Sequence, residues 1–126
     1  AGLVVLGAEY AWIGVSETAA GTRMLCGRSA GRHEHTLAQE ALPSGTRTLT
    51  VRARCDAEGT IGFAWRPGET ASWRELDTRF AASAGRWIGA EVGLFAAAPL
   101  GTPGNHGHAT FGAVSVELVG AEEEAA

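Results

Sequence analysis

The dominant period along the chain is two. LTVRARC places Leu49, Val51, Ala53 and Cys55 on one face and Thr50, Arg52 and Arg54 on the other. That is the alternation of a strand with one face on a core and one in water. After Glu58-Gly59, IGFAWR alternates again and points Ile61, Phe63 and Trp65 inward. The two runs predict a hairpin across DAEG. Pro67-Gly68 punctuates the next turn. WRELD then reads as a short strand, with Trp73, Glu75 and Asp77 on one face and Arg74 and Leu76 on the other. Further strand-like runs cover 1–7, 10–16, 22–28, 33–41, 87–96 and 108–118, with Gly or Pro between many of them. RFAASAGRW holds at most one helical turn, and PLGTPGNHG is a loop before the last run. Strand runs this short and this regularly spaced predict an all-β antiparallel sandwich or barrel. Glycines inside the runs (Gly14, Gly62, Gly89, Gly93, Gly112) fit bends and bulges of curved sheets.

Composition sharpens this picture. Of 126 residues, 18 are Gly and 24 are Ala, so a third of the chain has little side chain to bury. Hydrophobic residues make up 45% and charged residues 19%, which excludes intrinsic disorder. The glycines lack the three-residue period of collagen, and no apolar run is long enough for a transmembrane helix. The opening segment resembles neither a membrane span nor a signal peptide, because Glu9 interrupts it and no basic stretch precedes it. Localisation stays open between a bacterial cytoplasm and secretion.

The formal charge is −4, but Glu122, Glu123 and Glu124 carry most of it. The first 121 residues hold 11 acids against 10 basic residues, all of them scattered arginines. A nucleic-acid partner needs a basic face to displace phosphate counterions, and a membrane surface needs a basic amphipathic stretch. Neither pattern is present, so neither partner is expected. Residues 120–126 read as a solvated, flexible acidic tail after a single module over 1–119.

Candidate chemistry is sparse. His33-Glu34-His35 and His106-Gly107-His108 are two HxH pairs, and alternate residues of a strand point the same way. With Glu40, His33 and His35 resemble the first metal motif of cupins, where two His and a Glu bind a metal inside a small barrel. GLFAAAPLG starts like the second cupin motif, but Gly104 stands where that motif has its third His, and His106 is displaced by two. Solvent-exposed histidine is the stronger reading. Cys26 and Cys55 form no CxxC; they read as small core residues, with one disulfide as the alternative. No GxSxG, P-loop or GxGxxG occurs, so no cofactor is expected. Nothing brings two carboxylates together as glycoside hydrolysis requires. Tryptophan is the remaining signal, because its face stacks on the apolar side of a sugar ring. Trp65 has core parity with Phe63. Trp73 and Trp87 sit at strand starts near loops and are the candidate carbohydrate contacts, although packing is the stronger reading even for them.

The C-terminal half carries a specific resemblance. RWIGAEVGLFA, a Gly/Pro loop and GHATFGAVSVEL are similar to the end of the C-terminal concanavalin A-like β-sandwich module of glycoside hydrolase family 43 enzymes, the β-xylosidases and arabinofuranosidases. Its members carry a W-x-GA-x-VGLF strand and then a G-x-A-x-F-D strand. AGLVVLGAEYAWIGV resembles the family's AGL-x-x-x-G-x-x-Y strand pair. FAWRPGETASWRELD lies where the family has an F-S-x-S-x-DG-x-x-W hairpin. The chain departs from the family at Gly112, which replaces an Asp, and at Pro67-Gly68-Glu69, which replaces the hairpin DG. The resemblance covers about residues 1–118 and implies a concanavalin A-like jelly roll. In that family the catalytic carboxylates lie on a preceding five-bladed propeller, against which the sandwich packs. The implied role is therefore a non-catalytic accessory domain of an enzyme acting on xylan or arabinan, with a free-standing lectin-like sugar binder as the rival. The family module usually has strands before AGL, which predicts an exposed sheet edge here. The expected partner for that edge is the enzyme's own catalytic domain or a second copy of the chain.

Overall fold

The computed structural model describes residues 1–19, 21–83, 91–97 and 109–117. In chain order the strands are β1 Gly2–Leu6, β2 Tyr10–Thr18, β3 Gly21–Ala30, β4 His33–Ala41, β5 Leu49–Cys55, β6 Thr60–Pro67, β7 Arg74–Ala81 and β8 Glu91–Phe95. They form a five-stranded sheet of order β4-β3-β2-β1-β8 and a three-stranded sheet of order β5-β6-β7. Every pairing is antiparallel. Among the described residues no helix is assigned. The fold is an antiparallel β-sandwich, one of the two architectures that the strand spacing predicts and the one that the family resemblance implies.

Two sequence expectations change. The one helical turn that RFAASAGRW at most allows is excluded at its start, because Arg79–Ala81 continues β7 and Phe80 pairs with Ile61. Phe80 keeps the period-two inward parity of Leu76 and Thr78, and burial of that ring wins over local helix propensity. The strand expected over 108–118 is also absent from the described part, residues 109–117, where Val114 and Val116 are 62% and 91% exposed. A period-two run becomes a strand when a neighbour takes its N–H and C=O groups, and among the described residues none pairs with it. The chain divides into two units, Ala1–Phe95 and Ala96–Ala126; the eight strands belong to the first.

The core explains how a chain rich in Gly and Ala packs. The three-stranded sheet contributes Ile61, Phe63, Trp65 and Phe80, all buried. The five-stranded sheet answers with Val5, Ala11, Ile13, Met24 and Cys26. Large rings on one sheet thus meet mostly smaller side chains on the other, which is how close packing is reached without large side chains on both layers. A bulge opposite Cys26 and Gly27 leaves Leu37 unpaired in β4 and lets it pack on the core beside Ala38.

Two arginines close the sandwich at its rims. The Arg28 guanidinium lies 4.9 Å from the Phe80 ring and donates to Glu9 at 2.6 Å. Arg74 lies 4.6 Å from the Trp65 ring and donates to Glu40 at 3.3 Å, so that pair ties β7 to β4 across the two sheets. The hairpin expected across DAEG is formed. Asp56 Oδ1 accepts from the backbone N–H groups of Glu58 and Thr60, both at 2.9 Å, and Gly59 takes φ 83°. A carboxylate capping its own turn and a left-handed glycine are what that tight reversal requires.

Cys55 departs from its core parity. Burial along β5 fades toward the turn, and Cys55 is exposed while Cys26 is buried. Both thiols are free, so the alternative disulfide is not formed.

Candidate functional site

The sheet register decides which side chains share the outer face of the five-stranded sheet. Leu3, Val5, Ala11, Ile13, Met24 and Cys26 face the core. The alternate residues face outward in rows. One row runs Leu6–Tyr10 across β1 and β2 and Ser29–Glu34 across β3 and β4; the next runs Gly93–Val4–Trp12–Gly27–Thr36.

Within these rows an aromatic and carboxylate cluster assembles. The Tyr10 hydroxyl donates to Glu34 Oε2 at 2.5 Å, and Trp12 Nε1 donates to Glu34 Oε1 at 3.2 Å. Phe95 meets Trp12 edge to face, with centroids 5.4 Å apart and planes at 78°. Glu34 reaches two strands across because β3 carries small residues beneath it. At Gly27 a Cβ would stand 2.8 Å from Trp12 Nε1, so the indole lies directly over that glycine. At Ser29 the hydroxyl accepts from the Tyr10 backbone N–H at 2.8 Å and fixes the start of β2. Tyr10, Trp12 and Phe95 are half-buried, and Glu34 is exposed. The hydrogen bond to Glu34, with some burial and the carboxylate's charge, pushes the Tyr10 hydroxyl above its usual value of 10.0. The phenol therefore stays neutral and keeps its hydrogen bond. YAW alternation carried the signal for this cluster, since Tyr10 and Trp12 sit opposite in parity to Ala11 and Ile13. What the sequence did not show was Glu34 reaching them from β4.

The sequence-predicted sites lie elsewhere. Trp73 stands on the outer face of the three-stranded sheet. Arg52 and Arg66 approach its ring at 4.5 and 4.2 Å, and Arg52 also donates to Glu75 at 2.8 Å. Two guanidinium groups thus occupy the ring that was the candidate sugar contact. Trp87 lies outside the described residues, as do His106 and His108. Trp65 is fully buried, as its parity requires.

His33, His35 and Glu40 do not converge. All three are exposed on β4; His35 pairs with Arg28 and Glu40 with Met24, four steps apart on β3 and so about 13 Å along the strand. Glu40 is instead the partner of Arg74. Among the described residues no three His, Cys, Asp or Glu side chains come together to hold a metal. Among the described carboxylates, Glu9, Glu40 and Glu75 are paired with arginine, Asp56 caps its turn, and Glu17 accepts from the Thr22 hydroxyl. Among the described residues no helix is long and apolar enough to cross a membrane.

These features define a two-sheet all-β module with an aromatic, carboxylate-bearing outer face, in which Glu9, Glu17, Glu34, Glu40, Asp56 and Glu75 are each engaged by a partner. Residues 1–117 match the family described as the β-xylosidase C-terminal concanavalin A-like domain. The chain belongs to that family, the C-terminal concanavalin A-like part of glycoside hydrolase family 43 enzymes, and its fold class is the concanavalin A-like sandwich. No curated protein and no solved structure gives a significant match.

Proposed function

We propose that this chain is a non-catalytic accessory domain of a glycoside hydrolase acting on plant-type polysaccharide of the xylan or arabinan class, serving as scaffold for the catalytic domain. The observation that carries the reading is the family match over 1–117. The described carboxylates support it. Glycoside hydrolysis needs two acids about 5–10 Å apart facing one cleft, and here most are individually engaged by arginine, a turn, a hydroxyl or the aromatic pair. Two exposed apolar residues on β8 support docking of a partner. Val92 and Leu94 pair with Val5 and Leu3, which face the core, yet are 62% and 46% exposed. An apolar strand face of this kind favours docking of a second body, either the catalytic domain or another copy of the chain.

The test is to join the chain to a family 43 catalytic domain and follow thermal inactivation. Val92→Asp with Leu94→Asp should shorten the activity half-life if this face docks on the catalytic domain. An unchanged half-life with an unchanged oligomeric state by light scattering would count against the scaffold role. The lectin-like reading is favoured by one observation, the half-buried aromatic cluster of Tyr10 and Trp12 on the outer face of the five-stranded sheet.

A further inference from the structure

We infer that the outer face of the five-stranded sheet at Tyr10, Trp12 and Glu34 is a subsite for a neutral oligosaccharide, with the Trp12 indole stacking on a sugar ring and Glu34 accepting its hydroxyl protons. The choice of ligand class rests on the accessory-domain reading; the geometry of the site does not.

Four features of the cluster carry the inference. Trp12 rests on Gly27 and is half-buried, so one side of the indole is supported by the sheet while the residue remains accessible. A supported ring is a platform already in its bound conformation, which lowers the ordering cost of binding. Second, Glu34 is pre-oriented. Each of its oxygens accepts one protein hydrogen bond and keeps lone-pair capacity for another donor. Third, the Tyr10 and Trp12 protons are already committed to Glu34, so the cluster offers acceptors and no free donors. It matches a ligand rich in hydroxyl donors and mismatches carboxylates and phosphates, which would also face the charge of Glu34. Finally, Gly93 and Val4 share the Trp12 row, while Phe95, opposite Gly2 in the next row, meets the indole edge to face and bounds the platform on that side.

A carboxylate among aromatic rings also suits a quaternary ammonium ion. That ligand needs rings enclosing it on several sides. Tyr10 and Trp12 instead stand side by side on one strand, with Phe95 edge to face against Trp12, and choline is kept as the competing ligand in the test.

The experiment is a titration of the chain with xylohexaose, arabinohexaose, a glucuronic-acid-bearing xylo-oligosaccharide and choline. Calorimetry reads affinity, and ¹H–¹⁵N spectra resolve the indole N–H groups of the four tryptophans. One or both neutral oligosaccharides should bind, the acidic one more weakly, and the Trp12 indole signal should shift while that of buried Trp65 stays. Trp12→Ala should weaken binding about tenfold or more, with Trp12→Phe retaining part of it, as expected for a lost stacking contact. Glu34→Gln lies on the surface and keeps the fold, so it tests the same point if Trp12→Ala unfolds; it should weaken binding several-fold. Unchanged affinity in both variants, a shift centred on Trp73 or Trp87, choline binding in place of sugar, or no binding of either neutral oligosaccharide would overturn the subsite. None of these results bears on the half-life measurement, so the accessory role stands or falls separately.

Discussion

Gly27 shows how one residue serves both packing and the outer face. Its missing side chain is what lets the Trp12 indole lie on β3 and reach Glu34. Gly27→Ala should push the ring outward, break its bond to Glu34 and cost about 1–3 kcal/mol, as overpacking does. Urea unfolding measures the loss, and the Trp12 indole N–H signal should move with it. The two thiols make a second residue-scale contrast. Burial pushes Cys26 up to about 12 from 9.0, while Cys55 is exposed. A thiol reagent at neutral pH should label one cysteine in the folded chain and both in denaturant. Because the folded pKa of Cys26 is the raised one, the stability it contributes is complete below pH 9 and is lost as pH climbs toward about 12. Stability measured over that range should therefore fall with rising pH, and a Cys26→Ala variant should fall less steeply.

Strands and hairpins are the scale at which the sequence was most legible. The runs LTVRARC and IGFAWR coincide with β5 and β6 almost to the residue, because strict alternation leaves a strand one register that buries its apolar face, and HEHTLAQEA coincides with β4 although a bulge interrupts its period. What alternation could not show was which neighbour a strand finds. GHATFGAVSVEL alternates as well as any other run, yet its described part is unpaired. Bulges were equally hidden. The extra residue at Leu37 belongs to pairing with β3, a relation between two strands that neither states alone. The same limit explains the candidate site. Trp73 sits where its pattern puts it, but the arginines on its ring come from β5 and β6. Turn chemistry, by contrast, is local. Asp56→Ala removes the acceptor for two backbone N–H groups and should cost about 1–2 kcal/mol in thermal or urea unfolding, with Asp56→Asn recovering most of it.

At the scale of the whole molecule, the Gly and Ala content that suggested a thin core reads as a division of labour between layers. The three-stranded sheet supplies the rings and the five-stranded sheet the small partners. Phe63→Ala should thus cost about 3–5 kcal/mol in urea unfolding, where an exposed-face change such as Arg52→Ala costs less than about 1. The five-stranded sheet also extends past the three-stranded one, leaving Val92 and Leu94 of β8 open on the core side. This apolar edge is the surface that the proposed docking of a second body would use, and membership of a family of enzyme C-terminal domains supports that proposal. The most direct test of that account is aryl β-xyloside and arabinofuranoside hydrolysis by this chain alone and by a family 43 catalytic domain with and without it. The account predicts release no faster than buffer from the chain alone, and a catalytic domain that loses activity sooner when the chain is removed. Turnover by residues 1–126 alone, abolished by substitution of one of their carboxylates, would contradict it.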